Sequence, residues 1–457
     1  MNPPTTTTVF FLLLLLHQFI ATASPPPPSP PPFPKGSLPT SSGYLPINTS
    51  SSSALFFTFY EAQHPLSALP QTPILLWLQG GPGCSSMLGN FFELGPWLLT
   101  SDDNNNPSLQ PNPASWNRLF GLLFIDNPIG AGFSIASDTA EIPRNQARVA
   151  EHLWIGMQAF LDSRPTFRRR PLYITGESYA GKYVPAAGYY FSRWNSLRSE
   201  ARRINLRGVA IGNGLTHPVV QVATHAKNAY FSGLINERQT EQLEALQAEA
   251  VWLTQETKWG DATRARNRVL SALSNMTGLA TLYDLSRTRA YETGRVSVFL
   301  NRGDVKKALG VADKTIYEEC SDVVGQALHD DVMKSAKFMV EWLLRETKDK
   351  VLLYQGGFDL RDGVVSTEAW VKEMVWEGLA EFMKAERKVW EVKGTLAGYV
   401  QRWGTLSHAV VARAGHLVPA DQGVNSQAMI EDWVLGNGLF GNNSKWGLGS
   451  EDFRKDI

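Results

Sequence analysis

The sequence predicts an α/β protein, a mostly parallel central sheet wrapped by helices, on three observations. Short apolar runs alternate with longer amphipathic stretches along most of the chain, the pattern that strand–helix–strand crossovers produce. One run, Pro171-Leu172-Tyr173-Ile174-Thr175, passes through Gly176-Glu177-Ser178-Tyr179-Ala180-Gly181 into Lys182-Tyr183-Val184-Pro185, so a strand turns sharply into a helix around a serine. Two later apolar runs end in an acid and then a histidine, in that order along the chain.

Taken from the N-terminus, residues 1–23 read as a signal peptide. Val9 to Leu16 is its apolar core, Ala21-Thr22-Ala23 offers a small-residue cleavage site, and no Lys or Arg precedes the core. The apolar stretch is too short to span a bilayer. Residues 24–42 are a Pro/Ser-rich linker, extended because proline cannot donate to a ladder. Residues 43–457 form one catalytic domain. Strands are predicted at 55–60, 74–78, 122–126, 172–175 and 206–211, with an amphipathic helix over 140–160. From about 215 to 317 the chain becomes polar and helix-rich, as at 237–249, and reads as a helical insertion over the C-terminal edge of the sheet. Strands resume at Val351 and Tyr399, and there is no internal repeat.

A serine on such an elbow is thrust out of the sheet with its hydroxyl exposed, provided that its neighbours are small, as Gly176 and Ala180 are. It needs a base and an orienting carboxylate to act as a nucleophile. Val351-Leu352-Leu353-Tyr354-Gln355-Gly356-Gly357-Phe358-Asp359 delivers an acid to a strand end, and Val410-Val411-Ala412-Arg413-Ala414-Gly415-His416 delivers a histidine. Asp362 competes with Asp359 but lies deeper in the loop; His408 competes with His416 but lies within an apparent strand. The glycine-rich run Gln79-Gly80-Gly81-Pro82-Gly83 follows an early strand. Its Gly81 N–H, with the N–H of Tyr179 after the serine, could hold an oxyanion.

At these motifs the chain resembles the serine carboxypeptidase family, and within it the plant serine carboxypeptidase-like proteins, from about Gly43 to Leu435. The resemblance is carried by Trp77-Leu-Gln-Gly-Gly-Pro-Gly-Cys-Ser-Ser86, Ile125-Asp126-Asn127-Pro128-Ile129-Gly130-Ala131-Gly132-Phe133-Ser134, Gly176-Glu-Ser-Tyr-Ala-Gly-Lys-Tyr-Val-Pro185 and Gly415-His416-Leu-Val-Pro-Ala-Asp421. It implies an α/β-hydrolase fold, a Ser178–His416–Asp359 triad, and an oxyanion hole of Gly81 and Tyr179. It also implies that Trp77, Gln79, Glu93 and Glu177 hold the free carboxylate of a peptide, and that Cys84 pairs with Cys320. Gln79 stands where the family usually has asparagine; Gly357, Gly363 and Gly423 also depart from its pattern. The expected activity is release of C-terminal amino acids from peptides or proteins at acid pH through an acyl-enzyme, without cofactor or metal. Two alternatives remain open: an acyltransferase using sugar-ester donors, and a catalytically weak binding protein on the same scaffold.

Composition is consistent with a large enzyme of the secretory pathway, secreted or vacuolar. In 457 residues, 43% are hydrophobic, and 43 basic residues balance 43 acidic ones, so nothing argues for nucleic acid or an anionic membrane as a partner. Two cysteines in such a chain invite one disulfide. Asn48, Asn275 and Asn442 open glycosylation sequons.

Overall fold

The run Ile74–Leu78 is apolar and buried at every position, so it can rest only where both of its faces are covered. Its side chains alternate between two cores: Ile74, Leu76 and Leu78 face one cluster, Leu75 and Trp77 the other. The computed structural model describes residues 32–441 apart from Thr49 and residues 102–105. The expected signal peptide, the first part of the linker (residues 24–31) and Asn442 lie outside the described residues.

The strands are β1 (Ser41–Pro46), β2 (Ala54–Tyr60), β3 (Ile74–Leu78), β4 (Trp97–Ser101), β5 (Pro107–Pro111), β6 (Gly121–Ile125), β7 (Leu172–Glu177), β8 (Leu206–Gly212), β9 (Lys350–Gly356), β10 (Lys388–Val392), β11 (Thr395–Trp403) and β12 (Leu406–Val411). Ten of them form one sheet in the order β1-β2-β6-β3-β7-β8-β9-β12-β11-β10. From β6 to β12 neighbours run parallel, and the outer pairs are antiparallel. β4 and β5 form a separate hairpin. The mostly parallel sheet of the sequence reading is therefore present, with antiparallel margins.

Helix α1 (Gln146–Asp162) is capped by Asn145, whose side chain accepts from the Arg148 N–H. It packs beside helix α2 (Ala180–Ser196) on the face built from Leu76, Val149, Leu153, Val184 and Ala187. The expected helix at 140–160 begins later because a short 3-10 turn, Thr139–Glu141, precedes it.

Between β8 and β9 helices recur from Pro218 to Glu346, broken by loops at 278–293 and 310–321, so the helix-rich stretch runs well past residue 317. Its two long helices, Glu237–Gln255 and Trp259–Thr277, enclose a small core of their own around Ala226, Leu243, Leu253 and Val269. At the other end the folded body starts at Phe33 rather than residue 43. Phe33 is 5% exposed and packs edge-on against Phe299, with ring centroids 5.5 Å apart.

Candidate active site

The elbow is built by close approach. A Cβ on Gly176 would lie 2.4 Å from the Leu78 carbonyl oxygen and 2.8 Å from the Ala180 Cβ, so β7 meets α2 only with glycine there. Ser178 has φ 62°, a left-handed conformation that non-glycine residues avoid and that costs about 1–3 kcal/mol. The surroundings impose it: the Ser178 N–H donates to Gly212 O, and its carbonyl accepts from the N–H groups of Gly181 and Leu215, each at 2.9 Å. Pro185 has no N–H for the Gly181 carbonyl one turn back; the Thr216 hydroxyl donates to that oxygen instead, at 2.9 Å.

β9 and β12 are parallel neighbours, and their C-terminal ends deliver Asp359 and His416 to the same place. His416 Nδ1 lies 2.7 Å from Asp359 Oδ2. The carboxylate also accepts from Asn213 Nδ2 at 2.7 Å and from the N–H groups of Arg361 and Asp362 at 2.7 and 3.2 Å. With Nδ1–H committed to Asp359, Nε2 is the basic nitrogen. It is buried with no hydrogen-bond partner in the resting structure, and His416 and Ser178 line one cavity. The Tyr283 ring stacks on His416 at 4.4 Å, and the His416 N–H donates to Tyr283 O at 2.6 Å. The competing His408 is buried on β12, bonded to Gln355 Oε1 at 2.6 Å, and burial lowers its pKa to about 4.

Gly80 presses against the elbow: a Cβ there would meet the Tyr179 nitrogen at 2.6 Å and the Ser178 Cβ at 2.8 Å. Gly81 has φ 110°, which glycine alone adopts readily. Tyr179 is the N-cap of α2, where backbone N–H groups lack intrahelical acceptors and the helix dipole favours an anion. The loop is pinned from several sides. Cys84 and Cys320 form a disulfide, Ser86 Oγ donates to Ile125 O, and Ser85 Oγ donates to Asp126 Oδ1, the last two at 2.6 Å. Burial raises the pKa of Asp126 to about 6.

Gln79 is the centre of a buried polar cluster. Its Oε1 accepts from Trp77 Nε1 at 2.9 Å, and its Nε2 donates to Glu177 Oε1 at 2.7 Å and Glu93 Oε1 at 3.3 Å. Glu93 Oε2 and Glu177 Oε2 have no partner. Burial pushes the carboxyl of Glu93 up to about 8; burial and then the charge of Glu93 push that of Glu177 well above the usual carboxylate range. Gln79 and Glu177 line a cavity of about 230 Å³ with Ser178, Tyr283 and His416. Trp77 is fully buried, so it reaches that cavity only by orienting Gln79.

A second cavity of about 190 Å³ also opens on Ser178 and Gly81; Asp362 lines it. Three residues that sequence reasoning missed are Asn213, Tyr283 and Asp421, the last accepting the Gly415 N–H at 2.8 Å. Asn213, between two glycines at a strand end and with φ 41°, left a readable signal; Tyr283, from the insertion, left none. Asn48 and Asn275 lie on the surface. Among the described residues no acid, histidine or cysteine cluster could hold a metal, and no helix is long and apolar enough to cross a membrane.

A family model for serine carboxypeptidases matches residues 31–436. The chain belongs to the serine carboxypeptidase family. By family it is a serine-type carboxypeptidase, a hydrolase. It is 56% identical to serine carboxypeptidase-like 50 of Arabidopsis thaliana over 410 residues, 90% of each chain. It is 33% identical to a probable serine carboxypeptidase, CPVL, of Homo sapiens, over 89% of this chain and 85% of that one. Among solved structures it resembles Kex1, a prohormone-processing carboxypeptidase from Saccharomyces cerevisiae, with a TM-score of 0.77 and 24% identity over 86% of this chain and 90% of that one. That likeness bears on the fold, an α/β-hydrolase.

Proposed function

We propose that this serine carboxypeptidase releases single C-terminal residues from peptides through an acyl-enzyme, at acid pH, after entry into the secretory pathway. Ser178 Oγ attacks the last peptide carbonyl and passes its proton to His416 Nε2. Asp359 holds the imidazole by Nδ1 and stabilises the imidazolium that forms. The developing oxyanion takes the Gly81 and Tyr179 N–H groups. His416 returns the proton to the leaving amine, and water then repeats the sequence on the ester.

The observation that carries this reading is the buried Gln79–Glu177–Glu93 cluster, of which Gln79 and Glu177 line the cavity of Ser178 while Glu93 stands behind them, bonded to Gln79. A protonated glutamic acid can donate to a substrate carboxylate that an ionised one would repel. Gln79 Nε2 supplies a further donor. A pocket of this kind favours a leaving group that ends in a carboxylate, which the sugar of a sugar-ester donor does not have. The test is hydrolysis of N-blocked dipeptides beside acyl transfer from glucose esters, with fluorophosphonate labelling of Ser178 as the control for a working nucleophile. Rapid dipeptide hydrolysis is expected. Transfer from glucose esters without dipeptide hydrolysis would overturn the peptidase reading, and absence of labelling would point to the binding protein.

A further inference from the structure

Two cavities meet at Ser178 and Gly81. The first contains Gln79 and Glu177, so on the reading above it takes the departing C-terminal residue. The second must then take the acyl side, the residue before the cut bond. Its wall comes from helix Trp259–Thr277 of the insertion, where Thr263, Arg266 and Asn267 fall at i, i+3 and i+4 and share one face. The loop after Asp359 adds Arg361 and Asp362.

The charges of this cavity do not cancel. The Arg266 side chain is 5% exposed, and its ion-pair partner is Asp362 Oδ1 at 3.6 Å, longer than a hydrogen bond. Asp362 Oδ1 has no hydrogen-bond partner either. Arg361 stands close by: its Nη1 donates to the Tyr283 hydroxyl at 3.3 Å, its Nε is 3.9 Å from Asp362 Oδ2, and that Nε is itself unpartnered. Two guanidinium groups therefore face one carboxylate. The other acids nearby are engaged: Asp359 with His416, Asn213 and two backbone N–H groups, and Asp331 with Tyr179, Gln146 and Lys182. A buried guanidinium has five donors in a fixed fork and does not shed its charge, so the unpartnered Arg361 Nε and the long Arg266–Asp362 contact leave this site able to take a further acceptor.

We propose that this acyl-side cavity selects substrates with an acidic side chain at the residue before the cut bond, read by the guanidinium of Arg266. The proposal rests on the peptidase reading. A glutamate carboxylate could take a two-pronged hydrogen bond from Arg266 in place of its 3.6 Å contact with Asp362, while Asp362 turns to Arg361. A substrate lysine would find only Asp362, and would face two guanidiniums to reach it. The volume of about 190 Å³ is several times the ~30 Å³ share of a liquid water, so a side chain has room.

The test measures kcat/KM for four N-blocked dipeptides ending in phenylalanine, with Glu, Gln, Ala or Lys before it. At about pH 5.5 the glutamate side chain is ionised. Glu is expected to exceed its isostere Gln by on the order of tenfold or more, the usual worth of a hydrogen bond to a charged group, with Lys last. Arg266→Met should bring the Glu/Gln ratio to within about twofold of one. Both rates come from one preparation, so partial loss of folded enzyme cancels. Should that variant fail to fold, Asn267→Asp sets a carboxylate on the same wall, and the Glu/Gln ratio should fall. A ratio unmoved by either substitution, a flat series, or Lys in front would overturn the selectivity and leave the peptidase reading standing. Cleavage of none of the four by a chain that labels at Ser178 would overturn both.

Discussion

Asn213→Ala separates two jobs of one side chain. Nδ2 donates to Asp359, the proposed triad acid, at 2.7 Å, and Oδ1 accepts the Gly356 N–H at 3.2 Å, all of it buried. Losing a hydrogen bond to a charged group costs about 1.5–3 kcal/mol, and leaving a buried N–H without its partner about 1–3 kcal/mol more. Alanine must also hold φ 41°, at a further cost of roughly 1 kcal/mol. The expected loss of stability is thus about 3.5–7 kcal/mol, read as the shift of a urea unfolding curve. Asn213→Gly loses the same bonds but tolerates the backbone, so it should retain about 1 kcal/mol more. Asp359 keeps its bonds to the Arg361 and Asp362 N–H groups and to His416. Turnover should therefore fall by only about 10- to 100-fold in either variant. Asn213→Asp sets a carboxylate against Asp359 and raises the pKa of one of them; its activity should fall further at neutral pH and recover as the pH drops. Unchanged stability and kcat/KM in Asn213→Ala would refute the claim that this residue holds the triad acid.

Other substitutions bear on the remaining parts. Ser178→Ala should lower turnover by about a million-fold, the scale for loss of a triad nucleophile, and more than about a tenth of activity left would rule the serine out. His416→Ala should be far more damaging to kcat than His408→Ala, whose side chain is a sheet residue bonded to Gln355; the reverse order would exchange their roles. Gly176→Ala drives a methyl against the Leu78 carbonyl and should yield little folded enzyme on a soluble-expression assay. The Cys84–Cys320 disulfide, with a sequence separation of 236, should contribute on the order of 3–5 kcal/mol in the chain-entropy account. Peptide mapping without reduction should find it, and two alkylatable thiols in the native protein would disprove it.

The central strands were legible because burial on both faces leaves continuous apolar runs: 74–78 matches β3 at both ends, and 55–60 falls one residue short of β2. The margins were not. Ser41-Ser42-Gly43 in β1 and Pro107-Ser108 in β5 are too polar to announce a strand, and pairing supplies the regularity that composition does not. Ser178, Asp359 and His416 were readable from their order and from the strand ends that carry them. What surrounds them was not, because Tyr283 and Arg266 come from an insertion whose polar helices look like any solvated surface. Their meaning lies in contacts with the end of a sheet far away in sequence. Trp77 shows the converse: its place was legible, but only the structure shows that it is buried and donates to Gln79.

The central claim is that a protonated Glu177, its carboxyl raised by burial and by Glu93, reads the substrate's terminal carboxylate. Both carboxyls are raised, Glu93 to about 8, so the proton is present at acid pH and lost as pH rises through that range. The most direct measurement is KM against pH from about 4 to 9 for an N-blocked dipeptide and for its C-terminal amide. The account predicts that KM climbs with pH for the acid alone, and that Glu177→Gln, which cannot ionise, flattens the climb. Parallel curves for acid and amide would contradict it, because a pocket indifferent to that charge does not read a C-terminus.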